Sequence, residues 1–298
     1  MKFSHVMVAG SGVLGSQIAY QTAYKGFQVT VYDINDEALD KAKERVEKLM
    51  MLYKQDFNLT DVDVQQGYER MQFSANLSEA VQDADLVIEA VPEKLAIKKD
   101  FYTKLGEVAP DKTIFATNTS TLLPSQFAKE TGRPEKFLAL HFANDIRVKN
   151  TAEIMKHEGT DDHVFQALVE FAEAIGMVPL PIYKEQPGYI LNSLLVPFLN
   201  AGQELLVNDI ADAHTIDKTW MVATGSPAGP FAILDTVGIR TAYNISYAKG
   251  EAGDEAAQKV AKFLKEEMID KGKLGTESGE GFYKYPNPAY LEKDFLKA

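Results

Sequence analysis

The sequence contains no cysteine and is short of basic residues. Without cysteine, disulfide bonds, CxxC redox chemistry and cysteine-ligated zinc are excluded, and the protein fits a reducing cytoplasm. Lysine and arginine number 31 against 43 aspartates and glutamates, which gives a net charge of −12 over 298 residues. This balance argues against nucleic acid or an anionic membrane as a partner, and an anionic substrate would need a local cluster of cations.

Long apolar runs are also missing. No stretch approaches the length expected to span a membrane, and the first residues form a strand pattern rather than a secretion signal. Hydrophobic residues make up 45% and charged residues 25%, which is typical of soluble globular proteins. The length allows two domains. We therefore expect a cytoplasmic two-domain protein without a membrane partner.

A glycine-rich turn joins the first apolar run to the first helix pattern. Gly10 permits a tight turn, Gly12 lets a pyrophosphate approach the backbone, and Gly15 lets the helix pack against the sheet. Asp33 ends the next apolar run, where its carboxylate would accept hydrogen bonds from an adenosine ribose and repel a 2′-phosphate. The pattern predicts NAD as cofactor, with contacts from Gly10, Ser11, Gly12, Val13, Leu14, Gly15 and Asp33.

Strand and helix patterns alternate through residues 1–183. Apolar strand patterns lie at 3–9, 28–33, 85–90, 113–117 and 136–142, with two more around 151–156 and 177–181. Helix patterns lie at 13–25, 36–54, 94–108 and 162–175, and the polar stretch 55–70 suggests a helical excursion. The alternation predicts a Rossmann-type α/β domain, a doubly wound parallel sheet with helices on both faces.

The character of the chain changes after residues 186–188. Helix patterns follow at 189–207, 212–223, 229–248 and 254–270, and strand-like alternation returns only at 281–285. This predicts an all-helical C-terminal domain over 184–298 after an NAD-binding domain over 1–183. The mainly apolar helix 189–207 must be covered by its own domain or by a second subunit, so we expect a homodimer through the helical domain.

Polar side chains follow several predicted strands at their carboxyl ends, where such sheets bind substrates. His141 is a candidate base because imidazole is partly neutral near pH 7, and Glu153 on the next strand is a candidate orienting partner. Ser120 and the pair Glu89 and Glu93 end other strands. A histidine at a strand end is also compatible with a purely structural role.

A series of motifs in order along the chain resembles the L-3-hydroxyacyl-CoA dehydrogenase family. Besides the glycine turn with Asp33, the matching segments are Ala90-Val91-Pro92-Glu93 with Lys98, Asn118-Thr119-Ser120, Leu140-His141-Phe142-Ala143-Asn144, Glu153, Pro187-Gly188-Tyr189-Ile190-Leu191-Asn192, Ser226-Pro227-Ala228-Gly229-Pro230-Phe231 and Ser278-Gly279-Glu280-Gly281-Phe282-Tyr283. The resemblance covers essentially the whole length.

The resemblance implies an oxidoreductase of fatty acid metabolism, which reversibly oxidises the C3 hydroxyl of a short-chain (S)-3-hydroxyacyl-CoA with NAD and without a metal. It implies that His141 is the general base, that Glu153 orients it, and that Ser120 and Asn192 hold the reacting oxygen. Three further residues would lie near the nicotinamide: Glu93, Lys98 and Asn144. Asn192 belongs to the other domain, so catalysis would require closure of the cleft.

Plainer interpretations stand beside these roles. Ser120 would equally cap a helix starting near Leu122, and Glu93 would cap the helix beginning near Lys94. A basic cluster on helix 36–54 would meet CoA phosphates or simply form i,i+4 ion pairs with glutamates on a solvated helix. Its members are Lys41, Arg45 and Lys48.

The chain departs from the family pattern around the predicted substrate pocket. Asp145 stands where proline is usual, Arg147 adds a cation, Ser193 replaces an arginine, and Glu277 lies where a basic residue is common. These departures favour a second hypothesis, in which Arg147 binds the carboxylate of a free 3-hydroxy acid or sugar acid. A third hypothesis is an NAD-binding protein without turnover, which acts as a sensor or structural subunit.

Overall fold

A computed structural model describes residues 3–297. The chain divides into two compact units, the first ending at Ile190 and the second beginning at Leu191. The boundary proposed from composition near residue 184 stays a prediction.

The first unit is built on one eight-stranded sheet. Its strands, β1 to β8 in chain order, are His5–Ala9, Gln28–Tyr32, Met71–Ser74, Leu86–Glu89, Ile114–Thr117, Phe137–Phe142, Thr151–Met155 and Val178–Ile182. The strand order is β3-β2-β1-β4-β5-β6-β7-β8, so the chain starts in the middle and winds outward in both directions. The Rossmann-type doubly wound fold is confirmed.

Helices cover both faces of this sheet because both faces are apolar. Within β1, Val6 and Val8 join one core cluster while Met7 and Ala9 join another on the opposite face. The covering helices, α1 to α6, are Val13–Tyr24, Asp36–Phe57, Asp61–Glu69, Leu77–Val81, Leu95–Val108 and Asp162–Ala174. Strands buried on both faces read as continuous apolar runs, and this is why they were visible in the sequence.

The sheet is not wholly parallel. Strand β7 pairs with β6 in antiparallel orientation, and β8 then runs parallel to β7. The predicted doubly wound parallel sheet is confirmed apart from this one antiparallel pair, which arises because the short connection between β6 and β7 holds no crossover helix. The edge strand β3 was also missed, since its sequence, Met-Gln-Phe-Ser, is short and half polar.

The second unit is helical. Its helices α7 to α11 are Tyr189–Val207, Ala213–Thr224, Pro230–Val237, Ile239–Glu251 and Glu255–Phe263. The first two residues of α7 belong to the first unit. The single helix predicted over 229–248 is divided at Gly238, whose φ of +97° lies outside the helical region. The helix predicted to end near residue 270 continues instead as a π-helical segment, Leu264–Met268, and a 3-10 turn, Ile269–Lys271.

The segment 275–285, which includes the strand-like alternation at 281–285, folds as a compact turn with isolated bridges rather than as a strand. The Asp235 carboxylate accepts hydrogen bonds from the N–H groups of Phe282 and Tyr283, both at 2.9 Å. A Cβ on Gly281 would lie 2.0 Å from Oδ1 of Asp235, so only glycine allows this approach. This segment is therefore packed against helix α9.

Helix α7 leaves much of its apolar surface uncovered. Among the described residues it is the one helix that is long and apolar enough to cross a membrane, with a mean hydropathy of 1.3 and 17% of that window buried, so the expectation that no stretch approaches this length was wrong. An apolar groove of 490 Å³ lies beside it, lined by residues that include Phe198, Leu205, Ile210 and Trp220. Trp220 is 40% exposed in this groove.

Candidate active site

The three glycines of the first turn occupy three different environments. Gly10 has a φ of +93°, and a Cβ on it would lie 2.5 Å from the carbonyl oxygen of Ala90. A Cβ on Gly15 would lie 1.9 Å from the carbonyl oxygen of Gly10, so α1 packs directly on the turn. A Cβ on Gly12 would meet nothing within 4 Å. The open space at Gly12, just before the helix N-terminus, fits a diphosphate.

Asp33 follows β2 and is held beside this turn. Its Oδ2 accepts hydrogen bonds from the backbone N–H of Ser11 at 2.7 Å and from the Ser11 hydroxyl at 2.6 Å. Oδ1 accepts one from the N–H of Ile34 at 2.8 Å. The carboxylate faces a cavity of 280 Å³, lined by Ser11, Gly12, Asp33, Asn35, Glu37, Ala38, Lys41 and Arg45. A sugar hydroxyl in this cavity would find an acceptor in Asp33.

The basic cluster of α2 is divided between separate environments. Arg45 donates to the carbonyl oxygen of Ser11 at 3.2 Å and lines the Asp33 cavity. Lys41 lines the same cavity and pairs with Glu37 at 2.6 Å. Lys48 is exposed on the same helix. Two of the three cations therefore belong to the cavity beside Asp33 instead of forming a separate phosphate patch.

The antiparallel pairing of β6 and β7 places His141 directly opposite Glu153. Nδ1 of His141 lies 3.0 Å from Oε2 of Glu153, and both residues are buried, with 8% and 3% exposure. An ionised carboxylate only accepts hydrogen bonds, so in the neutral imidazole the proton belongs on Nδ1 and the lone pair on Nε2. This is the tautomer that a general base requires.

Ser120 lies on the other side of the imidazole. Its Oγ is 3.1 Å from Nε2 of His141, so the lone pair of Nε2 faces the serine hydroxyl. Ser120 is not the cap of the turn at Leu122, because the Oγ1 of Thr119 accepts the N–H of Leu122 at 3.1 Å. The strands β5 and β6 thus bring Ser120 to the candidate base.

Glu93 secures the loop that carries Ser120. Its Oε1 accepts the N–H groups of Ser120 and Thr121 at 3.0 and 2.9 Å, and also bonds the hydroxyls of Thr119 and Thr121. Burial alone raises the pKa of Glu93, but the Thr119 hydroxyl, the Lys98 ammonium and Thr121 outweigh it and lower the pKa to about 2. Glu93 does not cap α5, for which Lys94 takes the N-cap position.

Lys98 forms ion pairs with both Glu93 and Glu89, and the Glu89 carboxylate is fully buried. Its Nζ lies 3.2 Å from Oε2 of Glu93 and 2.6 Å from Oε1 of Glu89. Glu89 also accepts the N–H of Val91 at 2.8 Å and the hydroxyl of Thr117 at 2.7 Å, while burial raises its pKa against the effect of Lys98. Glu89, a strand-end residue without an assigned role, therefore anchors the cation that holds Glu93.

Arg147 is engaged by two carboxylates. Its Nε lies 2.6 Å from Asp56 at the end of α2, and its Nη1 lies 3.2 Å from Asp145. The side chain is 14% exposed. These ion pairs compete with the proposed role of Arg147 as the binder of a substrate carboxylate.

Two more of the predicted residues lie on other parts of the chain. Asn144 is exposed just after β6, and Asn192 lies on α7 in the second unit. A residue that was not predicted contacts the base instead: the ring of Tyr189 lies 4.6 Å from that of His141, between centroids. Tyr189 was visible only as part of the Pro-Gly-Tyr motif.

The fold and these residues together define a class of protein. A Rossmann-type sheet with a glycine turn and a terminal aspartate binds NAD, and a histidine–glutamate pair on adjacent strands is equipped for proton transfer. The protein is an NAD-dependent oxidoreductase. Among the described residues, no group of three or more His, Asp or Glu side chains is arranged to hold a metal ion.

Comparison with known proteins specifies the family. The model of the 3-hydroxyacyl-CoA dehydrogenase NAD-binding domain matches residues 5–186, and that of the C-terminal domain matches residues 188–285. The human mitochondrial hydroxyacyl-coenzyme A dehydrogenase is 34% identical over 94% of this chain and 91% of its own. A probable 3-hydroxybutyryl-CoA dehydrogenase of Bacillus subtilis is 30% identical over 96% of this chain and 98% of its own. The chain belongs to the 3-hydroxyacyl-CoA dehydrogenase family.

Solved structures show the same fold. A diketoreductase, described as acting on dicarbonyl compounds by substrate-directed dual catalysis, is 57% identical with a TM-score of 0.92, over 96% of this chain and 100% of its own. The (S)-3-hydroxybutyryl-CoA dehydrogenase of Ralstonia eutropha is 26% identical with a TM-score of 0.83, over the same shares.

Proposed function

We propose that the protein reversibly oxidises the C3 hydroxyl of a short-chain (S)-3-hydroxyacyl-CoA with NAD, and that His141 is the general base. One observation carries the proposal: Nδ1 of His141 is held by Glu153 at 3.0 Å, which leaves the lone pair of Nε2 facing Ser120. The family membership supports the same chemistry.

In this proposal each side chain has one task. Nε2 of His141 takes the proton of the substrate hydroxyl, and Glu153 stabilises the imidazolium that results. The Ser120 hydroxyl donates a hydrogen bond to the reacting oxygen, and Asn192 supplies another. The turn at Gly12 and the Asp33 carboxylate hold the dinucleotide, which supplies the hydride acceptor when bound. In the reverse direction His141 returns the proton.

A second candidate is reduction of a dicarbonyl compound that carries no CoA. It is favoured by the 57% identity to a diketoreductase and by the position of Lys41 and Arg45, which line the Asp33 cavity. The free-acid alternative has less support, because Arg147 is already paired with Asp56 and Asp145.

A substrate panel followed by NADH absorbance tests the proposal. We expect turnover of (S)-3-hydroxybutyryl-CoA with NAD and of acetoacetyl-CoA with NADH. Turnover of a dicarbonyl compound without CoA, and of nothing else, would establish the second candidate, and turnover of only 3-hydroxybutyrate or a sugar acid would establish the free-acid alternative. NADH binding without turnover of any of them would indicate the non-catalytic alternative.

We further propose that the protein is a homodimer through its helical domain. Helix α7 exposes large apolar side chains to solvent, among them Leu194 at 70% and Leu205 at 42%, and the neighbouring segment exposes Ile210 at 68%. Exposed apolar side chains grouped on one unit in this way are typical of a protein–protein interface. A second copy of the same face would cover it by two-fold symmetry.

A further inference from the structure

One aromatic ring touches the candidate base although the mechanism above does not use it. Tyr189 is fully buried, and its ring lies 4.6 Å from the His141 imidazole between centroids, with the planes inclined at 32°. At this separation the rings are in van der Waals contact. The ring of Tyr189 therefore limits how far the imidazole can tilt.

The backbone at Tyr189 adopts an unusual conformation. Its φ is +59°, in the left-handed region that a bulky aromatic residue rarely occupies, and the preceding Gly188 has a φ of +80°. Strain of this kind persists only where the surrounding structure holds it in place, and it concentrates at functional sites. The conformation at Tyr189 thus calls for an explanation in the site.

The same turn also contacts the partner of His141. The N–H of Ile190 donates to Oε1 of Glu153 at 2.9 Å, while Oε2 of the same carboxylate lies 3.0 Å from Nδ1 of His141. One residue of the turn thus packs on the imidazole, and the next residue holds the carboxylate. The left-handed backbone conformation of Tyr189 allows both contacts at once.

We propose that residues 188–190 position the His141–Glu153 pair. The ring of Tyr189 fixes the plane of the imidazole and stabilises the imidazolium through its π-face, and the N–H of Ile190 fixes the carboxylate. Tyr189 is a positioning residue, because it acts on the reaction through His141. This inference rests on the proposed function, in which His141 is the base.

Substitution at Tyr189 leaves the charges around the pair unchanged. The charged groups that face Tyr189 are the carboxylates of Glu153, Glu93, Glu185 and Glu89, of which Glu89 is paired with Lys98. Burial first, and then these carboxylates, raise the pKa of Tyr189 far above its usual range, so the side chain is a neutral phenol at every working pH. Replacement by phenylalanine keeps the ring, and replacement by leucine removes it.

The test compares Tyr189→Phe with Tyr189→Leu. We expect Tyr189→Phe to keep kcat within about 2-fold, and Tyr189→Leu to lower kcat about 10-fold or more, with the Kd for NADH unchanged in both. In the oxidation direction the base must be neutral. Loss of the ring destabilises the imidazolium, so the acidic midpoint of the kcat/KM profile should move down by about 0.5–1 pH unit in Tyr189→Leu only.

A second readout does not depend on turnover. The imidazole resonances of His141, assigned by their loss in His141→Asn, are titrated by NMR in the free protein. A lower titration midpoint in Tyr189→Leu than in Tyr189→Phe supports the proposal even if the substrate class or the role of the base is wrong. Equal midpoints and equal kcat in the two variants overturn it. If Tyr189→Leu does not fold, Tyr189→Met, which also lacks the ring, takes its place.

Discussion

At the scale of single residues, three carboxylates of the first unit serve different contacts. Asp33 binds the Ser11 hydroxyl and backbone and faces an open cavity. Glu153 holds an imidazole on one oxygen and a backbone N–H on the other. Glu93 gathers the donors of a loop. Their chemical type is the same, so their environments determine what each can do.

Asp33 should control both affinity for NADH and discrimination against NADPH. In Asp33→Ala the ribose would lose a charged acceptor, and a 2′-phosphate would no longer meet a negative charge beside Ser11. We expect the Kd for NADH to rise about 10-fold or more and the preference over NADPH to shrink, as measured by fluorescence titration. Asp40→Ala, which removes an exposed carboxylate of the same helix region, is the matched control. Equal effects of the two changes would contradict the assignment.

The sequence indicated His141 and Glu153 because their types and their places at strand ends suit a base and its partner. It did not indicate Tyr189, because an aromatic residue is read as core and its left-handed backbone is not visible in a sequence. Glu89 was noticed at its strand end but received no role, since its function depends on the buried contact with Lys98, which lies on another element.

At the scale of elements, Gly12 and Gly15 at the turn from β1 to α1 are needed for different reasons, cofactor binding and packing. Gly15→Ala would place a Cβ 1.9 Å from the carbonyl oxygen of Gly10, whereas a Cβ on Gly12 meets nothing within 4 Å. We expect Gly15→Ala to destabilise the fold by several kcal/mol, roughly the cost of severe overpacking. Gly12→Ala should fold with its stability changed by less than about 1 kcal/mol but bind NADH more weakly.

Urea denaturation and NADH titration measure these two effects. The two alanine variants are controls for each other, because the same methyl group is added on the same turn. Normal NADH binding by a stable Gly12→Ala protein would show that the diphosphate does not approach the backbone at Gly12.

The loop between β5 and the following 3-10 turn should depend on Glu93. In Glu93→Gln the side chain no longer offers a charged acceptor to the N–H groups of Ser120 and Thr121 or a counter-ion to Lys98. We expect faster amide exchange at 119–121 and a kcat lowered about 10-fold. Glu130→Gln, which breaks the nearby Lys99 pair, should change neither.

The pH dependence of this contact follows from the pKa of Glu93. Its pKa in the folded protein, about 2, lies below the ordinary value of 4.5. The ionised Glu93 carboxylate therefore contributes fully to stability above about pH 4.5, and this contribution is lost as the pH falls toward 2. A loss of amide-exchange protection at 119–121 that already begins as the pH falls from 7 to 5 would contradict this assignment.

Elements with a strong local signal were predicted well, and those set by tertiary context were not. The buried strands β1, β4, β5 and β6 consist mostly of apolar residues, and β2, Gln-Val-Thr-Val-Tyr, alternates apolar and polar side chains. The direction of β7 depends on the length of a connection and on its neighbours, and the edge strand β3 has only β2 to pair with. The break at Gly238 lies in an apolar helical pattern that continues on both sides.

At the scale of the whole molecule, the exposed apolar face of the helical unit should control assembly. Ile210→Glu places a charge at a position that is 68% exposed and lines the groove with Trp220. If this face joins two copies, size-exclusion chromatography with light scattering should show a dimer for the unmodified protein and monomers for Ile210→Glu. Val62→Glu, at a position that is 64% exposed in the first unit, should remain dimeric. A monomeric unmodified protein would refute the interface.

The most direct test of the chemistry is the turnover of His141→Asn. Asparagine approximates the shape of the imidazole but cannot accept the proton, while Gly12 and Asp33 keep their contacts. We expect kcat to fall by about three orders of magnitude or more, with the Kd for NADH within about 2-fold of that of the unmodified protein. A His141→Asn enzyme with undiminished kcat would show that the proton leaves the substrate by another route.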